Sequence, residues 1–135
     1  MANKIYPKFK KNQQSGGASH NLIAGSVKAV LIANTYTYSD AHEFLSDIPA
    51  PARVSISGAL TGKASTDLGA FQSANGRFEG VTGATCNAIA LFVDTGSPAT
   101  SPLVCYIDTV ASGLPVTPAG ASYNIVVDPT GWFVE

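Results

Sequence analysis

The chain has 135 residues, of which 45% are hydrophobic, so it can bury one core without a metal or a disulfide framework. Its formal net charge is −1, and residues 12–135 hold four basic against nine acidic side chains, which argues against nucleic-acid binding by the main body. No stretch approaches the roughly 20 apolar residues of a membrane span. We therefore expect one domain that binds neither nucleic acid nor membrane.

The N-terminal segment differs from the rest in composition. Four lysines lie within the first eleven residues, and a polar, glycine-containing stretch follows to residue 20. Aromatic side chains between cations let a disordered segment anchor on an acidic surface, although a solvated tail has the same composition. We predict a flexible basic arm and linker over residues 1–20, with these partner-binding residues: Lys4, Tyr6, Lys8, Phe9, Lys10 and Lys11.

The first core strand is predicted at residues 26–34, a short run rich in β-branched side chains. Residues 39–47 are the one helix candidate, because Ser39 or Asp40 can cap a first turn and Pro49 stops the run. The apolar run over residues 85–93 favours a central strand covered on both faces.

Alternation of polar and apolar residues predicts a half-exposed strand over Arg53–Ser57. It places Val54 and Ile56 on the buried face and the other three residues on the solvent face. Asn75 and Gly76 tolerate positive φ, so this pair predicts a two-residue hairpin turn.

Turn-forming residues at 95–102 separate the central strand from a returning strand over residues 103–107, and two closing strands follow at 123–127 and 132–134. The sequence therefore predicts an all-β fold: a single β-sandwich of about seven or eight short antiparallel strands over residues 21–135, with one short helix and an extended N-terminal arm.

Cys86 and Cys105 are too few for a disulfide framework, and we expect both to be small buried side chains, with a disulfide across a hairpin left open. The basic N-terminus is not followed by an apolar stretch, so we expect no secretory signal and synthesis in a reducing host cytoplasm.

No catalytic, cofactor or metal site is predicted. Gly58–Lys63 is one residue too short for a phosphate-binding loop, and residues 40–43 spread around a helix instead of converging on a metal. An enzyme alternative is a glycan hydrolase, in which carboxylates at the ends of apolar runs would be catalytic and aromatic side chains would stack on a sugar. A turn role for the carboxylates and a core role for the aromatics explain the same residues better. The candidates are Asp94, Asp108, Asp128, Tyr123 and Trp132.

Several motifs from about Val27 to the C-terminus resemble a family of small virion proteins of tailed bacteriophages. They are Lys28–Ile32, Thr35–Ile48, Ala59–Lys63, Val93–Thr109 and Gly113–Pro118. The N-terminal arm departs from the family pattern and looks like an addition.

The resemblance implies a virion structural protein on the capsid surface, most plausibly a decoration, or cement, protein. Its expected partners are the major capsid protein and further copies of itself, as a trimer or dimer. The alternative is a tail adaptor or a component of a head or tail fibre involved in host attachment. No catalytic residue comes with the resemblance.

Overall fold

The protein is mostly β with one short α-helix. The computed structural model describes residues 4–14, 26–58, 60, 64–65, 70–72, 76–83, 85–107, 117, 119–120, 122–125 and 133–134. The elements in chain order are β1 (Lys4–Ile5), α1 (Pro7–Gln14), β2 (Val27–Ala33), β3 (Arg53–Ile56), β4 (Ala64–Ser65), β5 (Ala70–Gln72), β6 (Gly76–Phe78), β7 (Cys86–Val93), β8 (Leu103–Ile107), β9 (Tyr123–Ile125) and β10 (Phe133–Val134).

The main sheet is antiparallel, with strand order β1-β8-β7-β2-β3. Strands β2 and β7 are its two longest, and nearly every side chain in them is buried, so both faces of the sheet centre are covered. The predicted first core strand and the predicted central strand are therefore confirmed, as is the antiparallel return of the chain from β7 to β8.

Both cysteines are buried in this sheet, as predicted, and both are free thiols. Cys105 on β8 lies opposite Leu91, whereas Cys86 begins β7 opposite Ala33. The two residues are thus far apart along the hairpin, which leaves no cross-strand disulfide. Burial raises the pKa of both thiols, to about 12 for Cys105.

Two smaller sheets accompany the main one, with strand orders β10-β5-β4 and β6-β9. Strands β5 and β6 thus belong to different sheets, and the predicted hairpin at Asn75 and Gly76 is wrong. Gly76 instead begins β6 and pairs with Ile125, while Asn75 lies outside the described residues. The strand that pairs with β6 is β9, which lies far along the chain. The turn propensity of two neighbouring residues gives no information about so distant a partner.

The predicted helix over residues 39–47 is also wrong, because only Leu45–Asp47 form a turn of 3-10 helix, and a second such turn spans Ala50–Ala52. Backbone groups of the segment bind the chain before β8: Leu45 N–H donates to Ser101 O at 2.9 Å, and Leu103 N–H donates to Glu43 O at 2.9 Å. These bonds take the donors and acceptors that a longer helix would need.

Strand β3 carries a β-bulge. Ile56 lies opposite Val30, but Arg53 lies opposite Ile32, so Val54 is an extra residue in the ladder. The predicted alternation is confirmed for Val54, which packs against the core, but it is wrong for the next positions: Ile56 is 47% exposed, whereas Ser57 is buried. The Ser57 hydroxyl accepts a hydrogen bond from the Ala29 N–H at 2.9 Å and donates to Gly58 O at 2.8 Å, which satisfies it in the interior.

Candidate docking surface

The N-terminal segment is folded onto the edge of the main sheet. Lys4 and Ile5 pair with Tyr106 and Cys105, and Tyr6 N–H donates to Val104 O at 3.0 Å. The ladder is only two residues long, so backbone pairing by itself gives the segment little stability. Side-chain burial has to supply the rest.

Helix α1 begins at Pro7, whose fixed φ suits a first helical position. Its inner side is marked by Phe9, which is fully buried, and the next inward positions are the half-buried Asn12 and Gln13. An eight-residue helix is marginal in water by itself, so burial of Phe9 against the body is what holds it.

The prediction of a flexible arm is therefore wrong for residues 4–14; residues 15–20 lie outside the described residues. Two of the predicted partner anchors, Tyr6 and Phe9, are part of the core of their own chain. The physical reason is that these aromatics find apolar surface within the same molecule before any partner is present: both belong to its core, and Tyr6 lies next to Tyr36.

Tyr6 begins a chain of buried hydrogen bonds. Its hydroxyl lies 2.9 Å from the Tyr36 hydroxyl, which in turn lies 2.6 Å from Nδ1 of His42. Burial raises the pKa of Tyr6 well above its ordinary value, and its bond to Tyr36 raises it further; burial also raises the pKa of Tyr36, to about 12. All of these phenols therefore stay protonated and act as neutral hydrogen-bonding groups.

The rings around this chain are tilted against one another by 39° to 47°. The centroids of Tyr6 and Tyr38 are 5.1 Å apart, and Tyr106 lies 5.9 Å from Tyr36 and 5.5 Å from Tyr38. Tilted pairs at such distances are favourable beyond the area that they bury. The aromatic cluster thus joins β1, β8 and the segment that follows β2.

Polar contacts join α1 to the same segment. The Asn12 side-chain amide donates to Glu43 Oε2 at 3.1 Å, and Lys8 Nζ lies 3.8 Å from Glu43 Oε1. Both carboxylate oxygens of Glu43 therefore face the helix. The ion pair is solvent-exposed and adds little stability, but it fixes the orientation of α1.

The outward side of α1 is cationic. Lys8, Lys10 and Lys11 are exposed and lie on the arc of the helix opposite its buried side. Lys4 belongs to β1, and its side chain lies outside the described residues. We define the α1 lysine surface as Lys8, Lys10 and Lys11; its partner-binding role stays a prediction.

A second feature lies on the sheet face next to β3. An open cavity of about 140 Å³ has apolar walls that include Leu45, Ile56 and Phe92. At its wall Lys28 Nζ lies 2.8 Å from Asp94 Oδ2, and this hydrogen bond lowers the pKa of Asp94. The two charges neutralise each other, which leaves a mainly apolar space.

Asp94 also fixes the loop that closes this cavity. Its Oδ1 accepts a hydrogen bond from the N–H of Gly96, a residue with a φ of 97°. Farther along, the buried Ser101 hydroxyl donates to Ser97 O at 2.8 Å. The prediction of a turn role for Asp94 is confirmed, whereas Asp108, Asp128 and Trp132 lie outside the described residues.

The polar residues at 40–43 are engaged with different partners. Asp40 accepts from the Tyr38 hydroxyl at 2.6 Å, His42 bonds Tyr36, and Glu43 faces α1. Among the described residues, no group of three or more histidine, cysteine, aspartate or glutamate side chains is placed to hold a metal ion. None of the described helices is long and apolar enough to cross a bilayer.

Sequence reasoning missed the two features that shape this molecule's surfaces. The site to which the N-terminal segment docks is formed by Tyr36, Tyr38 and His42. The only sequence feature that pointed to this site was the Tyr-Thr-Tyr repeat. The exposed position of Ile56 depends on the bulge at Val54, for which a single sequence carries no signal.

No protein-family model and no curated protein matches the chain.

Proposed function

We propose that this protein is a bacteriophage virion structural protein that decorates the capsid, with the α1 lysine surface bound to acidic patches of the major capsid protein. The observation that supports it most directly is a cationic helix packed on the body of a chain whose other charged residues are mainly acidic. The resemblance of residues 27 onward to small phage virion proteins supports the same assignment.

Such a protein acts by mass action. Binding only to the assembled shell stabilises that shell against disruption by heat or genome pressure. Contacts made by three exposed lysines are weak, so we include in the proposal a homo-oligomer, a trimer or dimer, that engages several sites at once. The protein would then lie on the virion surface in many copies.

The arrangement of the sheets as a β-sandwich is also part of this proposal. A β-sandwich of seven or eight strands is supported by the contact of β6, which carries the fully buried Phe78, against β2. An experimental structure of the protein alone tests it, because the small sheets must then lie face to face with the main one.

The docking role is tested with purified virions from which the protein has been stripped. We expect the triple variant Lys8→Gln, Lys10→Gln, Lys11→Gln to rebind heads about tenfold more weakly, as expected for three surface charge contacts. Lys63→Gln, outside α1, is the matched control and should bind normally. Equal binding by the triple variant would overturn the assignment of α1.

The cement role has a separate test. Heads carrying the protein should disrupt at a higher temperature than stripped heads, and its copy number should survive removal of tails. Decoration requires hundreds of copies, whereas a tail ring requires about six or twelve. A few copies lost with the tails would assign the protein to an adaptor or fibre instead.

A further inference from the structure

The outer edge of β3 is unpaired as far as the described strands extend. Within the described residues, no strand pairs with that edge. Ser57 N–H donates to Ala29 O at 2.8 Å. In an antiparallel ladder the backbone N–H and C=O groups of successive residues point alternately toward the partner strand and away from it. The N–H and C=O of Ile56 therefore point away from β2.

Two side chains on this edge are in unfavourable environments in the free protein. Ile56 is the one large hydrophobic side chain in the described part of the chain that is exposed. The Nε of Arg53 is buried, and no hydrogen-bond acceptor reaches it among the described residues. An exposed isoleucine is unfavourable in the free protein, and a partner strand covers it. The buried Nε itself is out of a partner's reach, but Arg53 is only half buried, so its guanidinium charge can pair with a carboxylate.

The bulge brings these two residues to the same face of the sheet. Arg53 lies opposite Ile32 and Ile56 opposite Val30, and residues two apart on β2 point to one face. The cavity of about 140 Å³ lies on the β2 side of Ile56, because its walls include Lys28 and Phe92, so a strand on the outer edge meets the Ile56 side chain itself.

We infer that the β3 edge binds an extended segment of a partner protein that carries an aliphatic residue followed, two positions later, by a carboxylate. An antiparallel partner repeats the register of β2, so one of its residues faces Ile56, and the second residue after it faces Arg53. The carboxylate pairs with the charge of the Arg53 guanidinium.

Charge complementarity decides between a foreign partner and a second copy of this chain. Strand β3 holds arginine, valine, serine and isoleucine, with no acidic residue. Two copies paired edge to edge would therefore offer no carboxylate to Arg53. The occupant is a strand of different sequence, and its binding does not involve the α1 lysine surface.

The test uses the full chain labelled with ¹⁵N and a synthetic eight-residue peptide with blocked ends. Threonine fills the peptide except for one leucine and, two positions later, one glutamate. At millimolar peptide we expect the amide signals of Val54 and Ile56 to shift. Replacing the peptide glutamate by glutamine should weaken binding about fivefold, the effect of one surface ion pair.

Two controls make the assignment specific. A peptide of the same composition with glutamate two positions before leucine should bind as weakly as the glutamine peptide, and in Arg53→Gln the glutamate and glutamine peptides should bind equally. Unshifted β3 amides, or equal affinities in the wild type, would overturn the inference. A dimer of the free protein that Ile56→Lys dissociates would assign the edge to a second copy and overturn it too. The assay contains no virion, so its result is independent of the proposed capsid role.

Discussion

At one edge of the main sheet β8 is paired with β1 and covered by α1, whereas at the other edge β3 has no partner strand in the described part of the chain. Open edges invite pairing with other chains, and proteins cover or charge them. The β8 edge is covered by aromatic side chains from the same molecule, and the β3 edge carries an arginine. The β8 edge is thus covered when the chain folds, whereas the β3 edge is the one that we propose for partner recognition.

The largest effect is expected from fixing the covered edge covalently. The Ile5 and Cys105 pair adjoins the hydrogen-bonded Tyr6 and Val104 pair, so it is a non-hydrogen-bonded pair with Cα atoms about 4.5 Å apart, within disulfide range. Ile5→Cys should form an intrachain disulfide with Cys105. Closing a loop of about 100 residues should raise the free energy of unfolding by about 4 kcal/mol.

Non-reducing gels and urea unfolding measure this prediction. Ile5→Cys combined with Cys105→Ala is the control, because it retains the new thiol without its partner. Oxidised chains that stay uncross-linked would contradict the docked position of β1.

A smaller loss is expected from removing the anchor of α1. Phe9 is fully buried, so Phe9→Ala should lower the free energy of unfolding by up to about 3 kcal/mol. Lys10→Ala, one position away on the exposed side, should change it by less than about 0.5 kcal/mol. Equal urea midpoints for the two variants would favour a mobile segment.

The hydroxyl of Tyr6 provides a finer test of the same edge. Tyr6→Phe removes its bond to Tyr36 while Tyr36 keeps its bond to His42, so we expect a loss of about 1 kcal/mol. Tyr38→Phe removes an exposed bond to Asp40 and should cost less. Denaturant unfolding of the two variants compares them, and a reversed order would contradict burial of Tyr6.

Asp47 gives the segment facing α1 a weak pH dependence. Burial by itself would raise the pKa of this carboxyl, but hydrogen bonds from the N–H groups of Glu43 and Phe44 outweigh it and lower the pKa. The stabilisation is therefore present above the unfolded pKa of about 3.9 and lost as pH falls through the lower folded value.

Because Asp47 is largely exposed, we expect Asp47→Ala to cost less than about 1 kcal/mol at neutral pH. The difference between wild type and variant should vanish in acid. Urea unfolding at a series of pH values measures it, and a difference that grows toward acid would have the wrong sign.

The smallest effect is expected at the open edge. Ile56→Ser should change the free energy of unfolding by less than about 0.5 kcal/mol, because its side chain is half exposed. Ile48→Ala, at a fully buried isoleucine, should cost about 3 kcal/mol in the same assay. A large loss at Ile56 would mean that the residue supports the fold and is not kept for a partner.

The sequence predicted those elements whose pattern is local. Strands β2, β7 and β8 are apolar runs bounded by turn residues, and their burial follows directly from composition. The mostly β character was predictable for the same reason, whereas the α-helix lies at 7–14, where a flexible arm was predicted, and not at 39–47.

Features that depend on distant residues could not be predicted. Burial of Tyr6 requires the aromatic cluster around Tyr36, some thirty residues along the chain. Residues 43–45 are held in place by residues 101–103. The exposure of Ile56 depends on one inserted residue in β3, which reversed an otherwise regular alternation.

The unequal lengths of the strands have a consequence for hydrogen exchange. Amides in β2 and β7, paired on both sides and covered on both faces, should exchange only when the whole domain opens. Those of β1 belong to a ladder of two residues and should exchange through a local opening that leaves the sheet intact. The N-terminal segment can therefore leave and return on a timescale of its own, while the rest of the molecule stays folded.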